Sequence, residues 1–317
     1  MSVVRHPPHV YRRRRLAAAA IFAALGASAF ALGASMTGGD EDGEAAAPAA
    51  VRTPPPPQLP RGGRRLFPDH RVVAFYGAPQ AAALGTLGIG TPAEAGRRLL
   101  RQARPYARKT RPILPAMELL ATIANRDAGG DGLFMTRQSD ATINRYLRAA
   151  RRIRALLILD IQPGRADFLT EMRRLEPWLR QPDVGLALDP EWHVREGEVP
   201  GQVIGSVDAA VVDRVARELS AMVQAGRLPE KLLLVHQFTE NMITDKARLR
   251  ARAGVALTIN VDGFGDRPNK IAKYDAFTSE AVRFNDGFKL FYEEDTNLMQ
   301  PRDVLALGPP PDVVVYE

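Results

Sequence analysis

From Asp69 onward the chain alternates short unbroken apolar runs with stretches whose apolar residues recur every three to four positions. The first kind predicts strands buried on both faces, and the second predicts helices with one covered side. RVVAFYG (71–77) reads as the first strand. Thr91-Pro92-Ala93-Glu94 then makes a capping box with proline at the first helical position, opening a helix to about Arg108. A second strand lies within RPILPAMELLATIA (111–124), and Ser139 or Asp140 caps a helix aligning Ile143, Tyr146, Leu147, Ala150 and Ile153. ALLILDIQPG (155–164) is the third strand, with Phe168, Leu169, Met172, Leu175 and Leu179 marking the next helix. GLALDPEWHV (185–194) supplies the fourth strand, before a helix carrying Val211, Val215, Leu219 and Met222. KLLLVHQF (231–238) is the fifth, followed by a short helix near Asp245 to Arg252. GVALTINVDGFG (254–265) is the sixth, with a helix from Ile271 to Thr278. GFKLFYEED (287–295), a helical turn at PRDVLAL, and DVVVYE (312–317) complete the series as seventh strand, turn and eighth strand.

Eight strands alternating with helices over about 250 residues predict the α/β class and a single (β/α)₈ TIM barrel spanning 69–317. A doubly wound open sheet is the alternative. It would carry a GxGxxG phosphate turn after its first strand, and FYGAPQAAALGTLGIG lacks that spacing.

Ahead of the barrel the pattern is different. YRRRRLAAAAIFAALGASAFALGASM (11–36) sets Arg12 to Arg15 before an apolar stretch, so 1–36 reads as a signal peptide or an uncleaved N-terminal membrane anchor. Ala29-Phe30-Ala31 offers a cleavage site, and the arginine run loosely matches a twin-arginine export signal. Residues 37–68 turn acidic and then Pro-rich, predicting a disordered linker. The expectation is an exported protein, extracellular or tethered to the outer face of the cytoplasmic membrane.

Composition narrows the function classes. With 45% hydrophobic and 25% charged residues the chain can bury a sizeable core. The absence of cysteine excludes disulfides, thiolate metal sites and a lipid-anchored cysteine. A net charge of +7 invites an anionic partner, but no basic run is interleaved with stacking aromatics, so a nucleic-acid partner is not expected. QARPYARKTRP (102–112) concentrates positive charge, as a solvated helix end or as a surface for anionic polymer.

In a barrel of this kind chemistry sits at the carboxyl ends of the strands. Those ends carry Tyr76, Glu118, Asp160 with Gln162, Asp189 with Glu191, Trp192 and His193, His236 with Gln237, Asn260 with Asp262, and Tyr292 with Glu294. Side chains two apart on a strand point the same way, so Asp189 and Glu191 are expected to share one space, as are Asp160 with Gln162 and Asn260 with Asp262. Carboxylates held together cannot ionise independently, which yields an acid and a base at neutral pH. Asp189, Glu191 and Asp160 are the catalytic candidates, and the other residues of these ends are expected to bind substrate. No organic cofactor or metal ion is expected.

The Asp189-Pro190-Glu191 pair closing the fourth strand resembles the arrangement in chitinase-type and certain lysozyme-type glycoside hydrolases. The barrel layout also resembles a group of exported bacterial barrel proteins. The glycoside-hydrolase resemblance implies Glu191 as general acid, with Asp189 orienting or assisting it, and a polysaccharide or other glycan as substrate. The spaced aspartates that precede the pair in chitinases are missing, since 184–188 reads Val-Gly-Leu-Ala-Leu, a departure from substrate-assisted chitin chemistry. Two other classes remain open. One is a non-catalytic glycan-binding barrel. The other is a metal-dependent phosphodiester hydrolase built on Asp160, Glu191, His193 and His236, although no HxH or HExxH spacing occurs.

Overall fold

A computed structural model describes residues 55–278 and 284–317. The expected signal or anchor (1–36) and most of the linker lie outside the described residues. Among the described residues no helix is long and apolar enough to cross a membrane.

The strands are β1 (Arg71–Gly77), β2 (Ile113–Ala124), β3 (Met135–Arg137), β4 (Leu156–Ile161), β5 (Val184–Leu188), β6 (Val207–Asp208), β7 (Lys231–Gln237), β8 (Ile243–Thr244), β9 (Val255–Val261), β10 (Asn285–Leu290) and β11 (Val313–Tyr316). Eight of them, β1-β2-β4-β5-β7-β9-β10-β11, pair in parallel, and β11 pairs with β1 to close the ring. The helices are α1 (Pro92–Ala103), α2 (Asp140–Arg152), α3 (Phe168–Arg174), α4 (Glu176–Leu179), α5 (Ala209–Ala225), α6 (Arg267–Thr278) and α7 (Pro301–Val304). The closed parallel barrel with helices is the TIM-like architecture that the pattern predicts.

Local sequence explains the helix starts. Thr91 and Glu94 form the anticipated capping box, Ser139 accepts from the Thr142 N–H, and Asp208 accepts from the Ala210 N–H. Three details differ from the sequence pattern. The helix expected near Asp245–Arg252 is only a 3₁₀ turn at Lys246–Arg248, and the helix after β4 breaks in two at Leu175. Beyond the barrel, β3 pairs antiparallel with the end of β2.

Two apolar layers follow from the period of two along each strand. Val73, Phe75, Leu157, Leu159, Leu233 and Val235 point outward and pack under the helices. Val72, Ala74, Leu156, Ile158, Leu232 and Leu234 point inward and fill the lower part of the barrel. Small residues such as Ala116, Ala187 and Ala256 keep this interior narrow enough to pack solid.

The end of the expected linker needs correcting. Residues 59–68 do not hang free: Leu59, Leu66 and Phe67 are buried in the inner layer's cluster. Arg61 donates to the carbonyls of Ile113, Ile153 and Arg154, and the Leu66 N–H donates to Glu230. Apolar anchors spaced between prolines and glycines let this segment lie across the amino ends of the strands, so the packed unit begins ahead of Asp69.

Candidate functional site

Toward the carboxyl end of every barrel strand an inward-facing position carries a polar residue. Counting by twos from the apolar interior leads to Tyr76 on β1, Glu118 on β2 and Asp160 on β4. The same count gives Asp189 after β5, His236 on β7, Asn260 with Asp262 on and after β9, Lys289 on β10 and Glu317 after β11. Gly287, an inward position on β10, leaves the room that the Asn260 amide occupies; a Cβ there would lie 2.6 Å from Asn260 Oδ1.

The floor of the mouth is a buried charge network. His236 lies between two carboxylates, with Nε2 2.9 Å from Glu118 Oε1 and Nδ1 3.0 Å from Asp262 Oδ2. The Asn260 amide approaches the same Nδ1 at 3.2 Å. Burial and the nearby Lys289 oppose a charge on the imidazole, but its hydrogen bonds to Asp262 and Glu118 outweigh them and hold its pKa well above the usual histidine value. A carboxylate at each ring nitrogen thus favours the protonated imidazole, whose two N–H groups would donate one to each. Lys289 Nζ bridges Asp262 at 3.1 Å and Glu317 at 2.8 Å, and stands 3.7 Å from the centre of the Tyr76 ring.

Asp160 differs from its neighbours. It is fully buried, and neither carboxyl oxygen has a hydrogen-bond partner. Burial, then repulsion from Asp189, raise its pKa well above the ordinary aspartate value, favouring the neutral carboxyl. Above it, the Tyr76 hydroxyl donates to Asp189 Oδ2 at 3.4 Å and accepts from Gln162 Nε2 at 2.9 Å. Burial and the Asp189 carboxylate push the Tyr76 phenol upward as well, keeping it a donor.

These groups open into a recess of about 50 Å³ walled by Tyr76, Gln162, Asp189, Trp192, Lys289 and Glu317 on its polar side. Leu84, Leu120, Ile123 and Ala124 form the apolar side. Ile123 faces inward because the β2–β4 pairing shifts register between Leu120 and Thr122, a bulge that changes which residues point to the interior.

Most of the predicted site residues meet here: Tyr76, Glu118, Asp160, Gln162, Asp189, Trp192, His236, Asn260 and Asp262. Asp160 shares its space with Gln162 through Tyr76, and Asn260 shares His236 with Asp262, as the alternation predicts. Five residues are placed otherwise. Glu191 does not continue a strand beside Asp189, because β5 stops at Leu188 and Pro190–Trp192 forms a 3₁₀ turn. Pro190 has no N–H for the ladder and its fixed φ suits the turn. Glu191 is left half-buried on the rim, where its charge acts on Lys273. His193 Nδ1–H donates to the Ser206 carbonyl, and its ring packs on Phe168, holding the loop that follows. Gln237 faces out of the barrel and donates to the carbonyls of Thr239 and Glu240. Tyr292 stacks on Tyr316 and donates to Gln102, in a groove on the helical side. Glu294 follows β10 on the same connection and is absent from the recess walls.

Sequence reading missed Lys289 and Glu317. Lys289 is hidden in the apolar run GFKLF, and Glu317 follows VVVY; counting inward positions from the strand interiors finds both.

Glu118, Asp160 and His236 each offer a ligand atom within 4.8 Å of the others. A divalent cation there would need a neutral imidazole with a free lone pair. The trio can therefore serve as a ligand set while the imidazole is neutral, or as a proton-storing cluster while it is charged. No protein-family model and no curated protein sequence matches the chain.

Proposed function

We propose that the mouth is the acid–base site of an exported glycoside hydrolase-like protein acting on a cell-envelope or extracellular polysaccharide. One observation carries the reading: Asp189 and Glu317 wall one recess from opposite strands of the ring, with the fully buried Asp160 on the neighbouring strand. Glycosidic cleavage needs a proton for the leaving oxygen and a second carboxylate as nucleophile or water-activating base. Asp189, at the wall, is the group that delivers a proton to the leaving oxygen, and the neighbouring Asp160 carboxyl disfavours a second negative charge beside it. Glu317, ion-paired to Lys289, is the second carboxylate. Trp192 offers an apolar face for a sugar ring. This gives Asp189 the role that resemblance assigned to Glu191, which is left to contact more distant parts of the glycan.

The recess favours a second reading too. At about 50 Å³ it admits water-sized groups rather than a whole sugar ring, which suits a barrel that binds glycan at its rim without cleaving it. A screen against peptidoglycan, chitin fragments and envelope polysaccharides separates the two when reducing ends and binding are both measured. A hydrolase releases reducing ends, and Asp189→Asn and Glu317→Gln abolish the release while the protein stays folded. A binder retains affinity in both variants and releases nothing. No turnover and no binding on any glycan would remove both readings.

A further inference from the structure

We propose that the end of the barrel opposite the mouth is a docking face for an anionic lipid bilayer. In a parallel barrel every segment that precedes a strand lies at this end, and the contacts confirm it. Arg64 donates to the carbonyls of Arg227 and Leu228, ahead of β7, and Arg154, ahead of β4, donates to Pro60. Five exposed cations gather here: Arg64, Arg108, Lys109, Arg154 and Arg227. The hydrogen bonds of Arg64, Arg108 and Arg154 go to backbone carbonyls, at 2.6–3.1 Å, and not to carboxylates. Carbonyls fix a guanidinium in place without cancelling its charge. Three acidic side chains of the same end are ion-paired, Asp69 to Arg65, Asp183 to Arg151 and Asp312 to Arg111, while Glu230 accepts from the Leu66 N–H and keeps its charge.

Two of the five cations stand where helix stability alone would favour glycine. Arg154 and Arg227 each follow the C-cap of a helix, α2 and α5, with φ of 52° and 49°. Both close a Schellman turn, the left-handed position usually given to glycine. An arginine there is strained, yet each projects a charge from the same face.

The choice of a bilayer as partner comes from the rest of the chain. Pro56, among the first described residues, lies in a groove of this end with Arg64 and Arg227. Ahead of it runs the segment with Arg12 to Arg15 and the apolar stretch to Met36, which the sequence reads as a signal or anchor. The 18 residues from 37 to 54 reach at most about 60 Å, so a retained anchor would hold the barrel near a surface without choosing its orientation. The charged face makes that choice, and the mouth then points away from the membrane.

The test is amide hydrogen exchange on the full-length protein with excess vesicles, comparing pure phosphatidylcholine with three parts phosphatidylcholine to one part phosphatidylglycerol. Each basic group near an anionic surface contributes roughly fivefold to partitioning. Exchange in 104–111 and 224–230 is expected to slow at least about fivefold on the anionic vesicles alone. High salt, or the combined variant R108E/K109E/R154E/R227E, removes the effect. Equal exchange on both vesicles, or slowing confined to the loops of the mouth, would overturn the proposal. So would protection by soluble poly(glycerol phosphate) without protection by anionic vesicles, which would make the partner a polymer.

Discussion

The two ends of the barrel interior are built from the same strands by the same alternation, yet they hold opposite contents. On β7, Leu232 and Leu234 fill the lower half, and His236, two residues further, is clamped between Glu118 and Asp262. On β4, Ile158 is followed by the fully buried Asp160, whose surroundings favour the neutral carboxyl. The lower half needs only volume and apolarity. The upper half buries charges that are tolerable only while each has its partner, because a lone buried ion is far costlier than a buried methylene. The lower half is held by packing alone, and the upper half by ionisable groups that depend on one another, at a cost in tolerance to change.

Substitutions at matched heights can break this contrast. The largest expected effect is on activity: Asp189→Asn lowers turnover of a cleaved glycan by about 10²–10⁴-fold while the thermal midpoint stays near that of the parent. An equal loss from Glu191→Gln with Asp189→Asn still active would return the acid role to the rim.

Next comes stability. His236→Ala leaves Glu118 and Asp262 buried without their shared cation and is expected to cost about 3–5 kcal/mol in urea unfolding. Leu234→Ala, one inward position lower, costs a similar 2–5 kcal/mol through a cavity. Their pH dependence separates them. The pKa of His236 is raised by folding, so its contribution is complete below about pH 6.5 and is lost as pH rises through the higher folded value. The Leu234→Ala cost stays flat over that range.

Asp160→Asn is milder and has the opposite sign. The folded pKa of Asp160 lies above that of the unfolded chain, so its contribution is complete below about pH 4 and declines as pH rises toward the folded value. The amide, which does not titrate, is expected to be close to neutral near pH 4 and to gain on the parent by pH 7 in parallel urea titrations. The smallest effect belongs to Tyr292→Phe. It removes one exposed hydrogen bond to Gln102, costs under about 1 kcal/mol and leaves activity unchanged, since Tyr292 sits outside the mouth.

The fold was legible because unbroken apolar runs and capping signals are local, and they set both the number and the order of strands. The floor of the mouth was legible for the same reason. Glu118 and Asp160 stand inside runs such as MELL and LILDI, where a carboxylate has to be explained by the interior. What failed was the assumption that polar clusters after a strand continue its geometry. Pro190 turns the chain after Asp189, and β10 ends at Leu290, so Glu191 and Tyr292 leave the period that would have aimed them inward. Lys289 and Glu317 escaped for the converse reason. Each is a single charge at the end of an apolar run, and only the ring of partners supplied by other strands reveals what it does.

The claim on which the chemistry rests is that one carboxyl of the mouth stays protonated beside ionised neighbours. Infrared difference spectroscopy of protein with isotope-labelled aspartate carboxyls reads this directly. The account predicts a protonated-carboxyl stretch at pH 7 that disappears in Asp160→Asn and persists in Asp245→Asn, a change at an exposed surface aspartate. A spectrum with no protonated carboxyl at pH 7, or one whose band survives Asp160→Asn unchanged, would contradict it.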